Sequence, residues 1–127
     1  MKKLFVSVPM KGRTPEDIKA SIAKMKAIAE AYEGEALELI DSYVNQTPPA
    51  DGHQSIWYLS KSIEKLSIAD IVISIEETWD WTGCDIEVGI AKGYGLKVYR
   101  VPADVVIPNY QQVIEKKYES MRPVKED

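Results

Sequence analysis

Residues that usually bind metals or form disulfides are scarce in this chain of 127 residues, which has one cysteine and one histidine. A single cysteine excludes an internal disulfide. One cysteine and one histidine also argue against a zinc site, which takes about four such ligands. No apolar run approaches the roughly 18 residues of a membrane-spanning helix. The apolar start of the chain ends at Pro9 without the cleavage site of a signal peptide. We therefore expect a cytoplasmic protein without metal, redox cofactor or membrane partner.

Positive charge is also in short supply. The 16 basic and 20 acidic side chains leave a net charge of -4, which argues against a nucleic-acid polymer as partner because such binding favours a basic surface. The apolar share of 45% and the charged share of 28% are typical of a globular protein. The length predicts one domain spanning residues 1–127, with a polar tail from about residue 121.

Strand-like and helix-like patterns alternate along the chain. Thr14 and Pro15 predict the start of a first helix, and Gly34 predicts its end. Three further helices are expected over residues 56–66, around residue 87 and over residues 110–120. Apolar runs predict strands at residues 4–8, 36–40, 71–75 and 96–101, and residues 41–53 form a long loop rich in proline.

Strands separated by helices predict an α/β fold with a parallel sheet and helices on both faces. We expect a flavodoxin-like three-layer domain with four to five strands in the order 2-1-3-4(-5). The strand order would then reverse between the first and third strands, where ligands bind in such folds. Residues 9–13 and 76–83 would meet at that point.

Glu87 is the leading candidate for chemistry. It follows the apolar run at residues 71–75 and is predicted in the first turn of the next helix. A carboxylate can attack an anomeric carbon and form a covalent glycosyl intermediate, and Gly83, one helical turn away, would leave room for a sugar. The alternative is that Glu87 only stabilises the start of the helix.

Trp79, Asp80 and Trp81 precede this helix. An indole face can stack on a base, and an aspartate can accept hydrogen bonds from sugar hydroxyls. The alternative is that a tryptophan anchors the loop in the core.

Residues 9–13, here called the first loop, join the first strand to the first helix. Gly12 allows close approach of a ligand, and Lys11 and Arg13 supply positive charge, so an anion site is possible. The loop lacks the glycine spacing of a P-loop and of a dinucleotide fingerprint. The alternative is a solvated basic turn.

Five segments of the chain resemble the nucleoside 2-deoxyribosyltransferase-like superfamily, and in particular its small bacterial and phage branch. They are Phe-Val-Ser-Val-Pro-Met-Lys-Gly-Arg at residues 5–13, Ile-Asp-Ser-Tyr at 40–43, Ile-Trp-Tyr-Leu-Ser-Lys-Ser at 56–62, Ala-Asp-Ile-Val at 69–72 and Gly-Cys-Asp-Ile-Glu-Val-Gly-Ile-Ala at 83–91. The resemblance runs from about residue 3 to residue 101.

This resemblance implies a flavodoxin-like sheet, a homo-oligomer and a glutamate nucleophile at Glu87. It also implies action on the N-glycosidic bond of deoxynucleosides, with the sugar passing to another base or, in related nucleotide hydrolases, to water. The hydrolases contact a 5′-phosphate with their first loop, which would assign that contact to Ser7, Pro9, Met10, Lys11, Gly12 and Arg13.

The chain departs from the family pattern at two positions. Phe5 stands where the transferases carry a tyrosine that orients the glutamate, and Trp81 stands where many carry a sugar-binding aspartate, with Asp80 one step away. Three hypotheses follow: an enzyme that cleaves or transfers the N-glycosidic bond, a non-catalytic module that binds a nucleotide-like ligand in the same pocket, and an oligomeric scaffold.

Overall fold

The computed structural model describes residues 1–121, and the predicted polar tail at residues 122–127 lies outside the described residues. Strands and helices alternate as the sequence predicts. In chain order they are β1 (Lys3–Ser7), α1 (Pro15–Glu33), β2 (Glu38–Leu39), α2 (Gln54–Leu66), β3 (Ile71–Ile75), α3 (Thr82–Gly93), β4 (Lys97–Val101), α4 (Ala103–Val106) and α5 (Tyr110–Met121). A short 3-10 turn, Thr78–Asp80, lies between β3 and α3.

The four strands form one parallel sheet in the order β2-β1-β3-β4, which confirms the predicted order. β2 has two residues where five were predicted. It lies at the sheet edge with both side chains exposed, and its ladder to β1 pairs only Lys3 with Glu38 and Leu4 with Leu39. A short edge strand leaves few backbone groups open to another chain.

Helices cover both faces of the sheet, so the fold is the expected flavodoxin-like three-layer domain. On one face, strand side chains such as Leu4 and Ile73 pack with Met25 of α1 and with the partly buried Val113 of α5. The opposite face belongs to a second, smaller cluster, whose members include Phe5, Val72, Leu66 of α2 and Ala91 of α3. β3, in the middle of the sheet, is buried along its whole length because both of its faces are covered.

The bounds of α1 follow the local signals. The Thr14 hydroxyl accepts a hydrogen bond from the Asp17 amide at 3.1 Å, and Pro15 occupies the first helical position. Gly34 ends the helix in the left-handed conformation, with φ of 71°, and its amide donates to the Glu30 carbonyl. These contacts confirm the predicted cap and the predicted end.

Two short elements were not predicted, the Thr78–Asp80 turn and α4. Both are too short for a periodic pattern and depend on contacts distant in sequence. The Glu77 carboxylate accepts from the Ala103 amide at 3.0 Å, and the Ser21 hydroxyl donates to the Val106 carbonyl at 2.7 Å. Among residues 1–121, no helix combines the length and the apolar character needed to cross a membrane.

Glu33, at the end of α1, joins this helix to the sheet. Its side chain is 3% exposed and accepts hydrogen bonds from Lys97 and Tyr99 of β4 and from Lys2. Hydrogen bonds from Lys97 and then Tyr99 are the main causes that lower the pKa of Glu33 from 4.5 to about 2. The ionised form of Glu33 therefore stabilises the fold.

We predict that Glu33→Gln lowers the free energy of unfolding near neutral pH. Because the pKa of Glu33 is lower in the folded chain, its stabilisation is complete above about pH 4.5 and is lost as the pH falls toward about 2. The difference between variant and wild type should shrink over that range in urea unfolding. Glu115→Gln, at an exposed position of α5, is the control. A difference that is the same at about pH 2.5 and pH 7 would contradict the prediction.

Candidate functional site

Glu87 lies in the second turn of α3, and its predicted place in the first turn is wrong. The Thr78–Asp80 turn precedes the helix, which begins at Thr82, so Asp85 is the acid of the first turn. The helix has no side-chain cap at its start. The hypothesis that Glu87 serves as a capping residue is therefore wrong.

The Glu87 carboxyl is buried, with 8% of the residue exposed, and contacts two other elements. The Ser7 hydroxyl, at the end of β1, donates to Glu87 Oε1 at 2.8 Å, and Ser62 of α2 also hydrogen-bonds the carboxyl. Ser74 lies beside Ser7 in the sheet and donates its hydroxyl to the Ser7 carbonyl at 2.9 Å. The structure thus places Glu87 at the carboxyl end of β1, next to the reversal of strand order.

Burial raises the pKa of Glu87 from 4.5 to about 7, and the hydrogen bonds from Ser7 and Ser62 offset part of that effect. Both protonation states are therefore populated near neutral pH. Such a carboxyl can act as a nucleophile or exchange a proton. Cys84, also in α3, differs: burial raises the pKa of its thiol to about 12, so it stays protonated and is a poor nucleophile.

The loop before α3, residues 76–81, is here called the tryptophan loop. Its two indole rings have different environments. Trp81 is 5% exposed, packs in the larger core cluster and donates its Nε1–H to the Tyr110 hydroxyl at 2.8 Å. Trp79 is 75% exposed. Trp81 anchors the loop, and Trp79 is the ring that a ligand can reach.

Asp80 is buried, with 6% of the residue exposed, and accepts a hydrogen bond from the Tyr118 hydroxyl of α5. It lines a cleft of about 710 Å³ between the tryptophan loop and α5. Carboxyl, aromatic and amide side chains, with one isoleucine, line this acidic cleft: Glu77, Asp80, Asp104, Trp79, Tyr110, Tyr118, Asn109, Gln111 and Ile114. Glu87 is not among these lining residues. The structure therefore brings Trp79 and Asp80 together on the cleft, whereas Glu87 contacts Ser7.

A set of hydrogen bonds holds the tryptophan loop in place. Arg100 Nη2 of β4 donates to the Glu76 carbonyl at 2.6 Å and to the Thr78 hydroxyl at 2.9 Å. The Thr78 hydroxyl donates in turn to Asp85 Oδ1 at 3.2 Å. These contacts couple the loop to both β4 and α3.

The first loop contains buried and exposed residues. Pro9 is fully buried, whereas Met10, Lys11 and Gly12 are exposed, and Gly12 has φ of 77°. Arg13 is half-buried, and its guanidinium donates to the protein itself rather than pointing into solvent. Gly83, on α3, is exposed with open space where a Cβ would lie, which leaves room near the start of that helix.

Sequence reasoning did not assign a role to Ser62, Tyr110, Tyr118 or Arg100. Ser62 lies within the segment at residues 56–62 that carries the family resemblance, so a signal for it was present. The two tyrosines and Arg100 act through contacts across 22 to 38 positions of the chain, which no local pattern reveals.

Comparison of the chain with protein-family models, with curated proteins and with solved structures finds no match. Among residues 1–121, no group of three or more histidine, cysteine, aspartate or glutamate side chains is arranged to hold a metal ion.

We predict that Glu87→Gln makes the protein more stable than wild type at about pH 8. The pKa of Glu87 is higher in the folded chain than in the unfolded chain, so its ionisation lowers the free energy of unfolding as the pH rises from about 4.5 to about 7. The expected difference is about 3 kcal/mol at most, and it should vanish near pH 4. Urea unfolding over this range measures it.

The matched control is Glu76→Gln, because Glu76 is exposed and its contact with Arg100 uses the backbone carbonyl. Its stability relative to wild type should change little with pH. The prediction fails if Glu87→Gln is less stable than wild type at about pH 8, or if its advantage is equal at about pH 4.

Proposed function

We propose that this protein cleaves or transfers the N-glycosidic bond of a 2′-deoxynucleoside or its 5′-monophosphate, with Glu87 as the nucleophile. The observation that carries the proposal is a buried carboxyl at the reversal of strand order, held by hydroxyls from β1 and α2. Ligands of open α/β sheets bind at this position. The family resemblance supports the same residue and the same chemistry.

In the proposed reaction, an ionised Glu87 oxygen bonds to C1′ of the sugar. The bond from C1′ to the base nitrogen breaks, its electron pair leaves with the base, and the base takes up a proton. The resulting glycosyl ester then passes the sugar to water or to a second base, which restores the carboxylate. The Ser7 hydroxyl would hold Glu87 Oε1 in place while the other oxygen reacts.

The tryptophan loop would supply the contacts to the substrate. Trp79 is the exposed ring and would stack on the base, which contributes about 1–3 kcal/mol per base in nucleic-acid systems. Asp80 would accept from sugar hydroxyls. Trp81 would hold the loop through its core packing and its bond to Tyr110. No metal or redox cofactor takes part in the proposed reaction.

We predict that the wild-type protein releases free base from at least one member of a panel of deoxynucleosides and their monophosphates. Chromatography measures the released base. Glu87→Ala should lower the rate by about a thousandfold or more because the covalent path is lost. The rate should rise with pH through about 7 because the reacting form is ionised Glu87. Glu115→Gln, at an exposed position of α5 that does not line the acidic cleft, serves as the control, and a rate that Glu87→Ala leaves unchanged would refute the assigned role.

Two observations favour a second candidate function, a module that binds a nucleotide-like ligand without turnover. The acidic cleft holds Trp79 and Asp80 but not Glu87, and Phe5 carries no hydroxyl near the site. This function predicts that a ligand raises the melting temperature without product formation. Glu87→Gln would then bind the ligand as well as wild type does.

We also predict that copies of the chain associate. Ile56 and Tyr58 of α2 are 65% and 45% exposed, and only Leu66 of this helix is fully buried. Covering such side chains favours association. Light scattering should give a mass of at least twice that of one chain, and Ile56→Lys should reduce it. A wild-type mass equal to that of one chain would contradict the prediction.

A further inference from the structure

Two serine hydroxyls from different parts of the fold hydrogen-bond the Glu87 carboxyl. Ser7 of β1 is 1% exposed and donates to Glu87 Oε1 at 2.8 Å. Ser62 belongs to α2, which packs against α3, and also hydrogen-bonds the carboxyl. An ionised carboxylate only accepts hydrogen bonds, and a serine hydroxyl has a proton to donate. Each serine therefore favours the ionised form of Glu87.

The two serines differ in what else holds them. The sheet fixes Ser7, because the Ser74 hydroxyl donates to the Ser7 carbonyl from the neighbouring strand. Ser62 lies one helical turn before Leu66, which packs with Phe5 in the smaller core cluster. Residues four positions apart share one face of a helix. Ser62 is therefore on the face of α2 that meets the rest of the domain.

Ser62 also differs from a nearby serine of the same helix. A serine inside a helix commonly turns its hydroxyl to solvent or to a backbone carbonyl of its own helix. Ser60 does so: it is exposed, and its hydroxyl donates to the Trp57 carbonyl at 2.6 Å. Ser62 is half-buried and hydrogen-bonds a side chain of another helix. The Ser62 hydroxyl thus contacts Glu87 where Ser60 contacts its own backbone.

Hydrogen bonds, rather than charges, oppose the effect of burial on Glu87. Among residues 1–121, no charged side chain is a cause of the shift in the Glu87 pKa. The titratable neighbour on α3 is Cys84, whose thiol stays protonated because burial raises its pKa to about 12. The contacts from β1 and α2 are the hydroxyls of Ser7 and Ser62. Loss of either hydroxyl therefore has a direct effect on the carboxyl.

We propose that Ser62 is a positioning residue, whose hydroxyl acts with that of Ser7 to hold the ionised Glu87 carboxyl for its attack on the sugar carbon. The terminal torsion of a glutamate is broad and is poorly fixed by the side chain itself. Hydrogen bonds from two different elements restrict that rotation. This inference rests on the proposed function, and in it Ser62 acts through Glu87 rather than through the substrate.

Substitution of Ser62 should change the ionisation of Glu87. Ser62→Ala removes a hydrogen bond to the charged form, so the pKa of Glu87 should rise by about one further pH unit. Alanine is a good helix former, so the variant should fold. Carbon-13 NMR of the glutamate carboxyls measures the titration midpoint, with the signal of Glu87 identified by its absence in Glu87→Gln. Ser62→Thr keeps the hydroxyl and should restore the midpoint, and Ser60→Ala is the matched control.

Kinetics of the same variants separate positioning from substrate binding. With a deoxynucleoside that the wild type cleaves, Ser62→Ala should lower kcat near pH 7 by about fivefold or more, because less of Glu87 is ionised. KM should change by less than about twofold, since Ser62 does not contact the substrate. Ser62→Thr should recover most of the lost kcat, and Ser60→Ala should match the wild type.

The outcomes are distinct. A midpoint that Ser62→Ala leaves unchanged overturns this inference and leaves the proposed function standing, and so does a defect confined to KM. Failure of Ser62→Thr to restore the midpoint also overturns the inference, because the hydroxyl would then not be responsible. A wild-type protein that releases no base from any deoxynucleoside or monophosphate refutes the proposed function, and the inference with it.

Discussion

The parallel pairing of β1 with β3 is the constraint on which the site depends. Its register places Ser7 directly beside Ser74, and the Ser74 hydroxyl donates to the Ser7 carbonyl. The Ser7 hydroxyl then reaches the Glu87 carboxyl. Because both strands end at the same edge, the first loop and the tryptophan loop also leave the sheet side by side. A shift of one residue in this register would turn Ser7 to the opposite face and break the contact.

Burying Glu87 costs stability, and the fold offsets only part of that cost. The carboxyl lies on the face of the sheet that Phe5 and Val72 otherwise make apolar. The Ser7 and Ser62 hydroxyls hydrogen-bond the carboxyl, yet the effect of burial is larger and raises the pKa of Glu87 to about 7. An apolar residue here would avoid that cost, so the energetics of folding alone do not account for a polar network in this position. Glu33 shows the opposite case, since its ionised form is stabilised by Lys97 and Tyr99.

The sequence predicts the features that depend on local signals. The cap at Thr14, the end at Gly34 and the parallel sheet follow from residue types and from the alternation of elements, whereas the strand order was expected from the flavodoxin-like fold. The position of Glu87 within α3 was not predicted, because the short 3-10 turn at Thr78–Asp80 delays the start of the helix. That 3-10 turn is itself held by Arg100 of β4. The roles of the two tryptophans were also left open by the sequence. Trp81 is buried because it reaches Tyr110, which is 29 positions away.

The Glu87 carboxyl and the carboxyls of the acidic cleft lie in separate environments. The pKa of Glu87 responds to its own burial and to the hydroxyls of Ser7 and Ser62, and no charge of the acidic cleft among residues 1–121 is one of its causes. A change in the charge of Asp104 should therefore leave the pH at which Glu87 ionises unchanged. The ionisation of Glu87 thus depends on the contact between β1, α2 and α3, and the cleft beside α5 is a separate environment that Glu87 does not line.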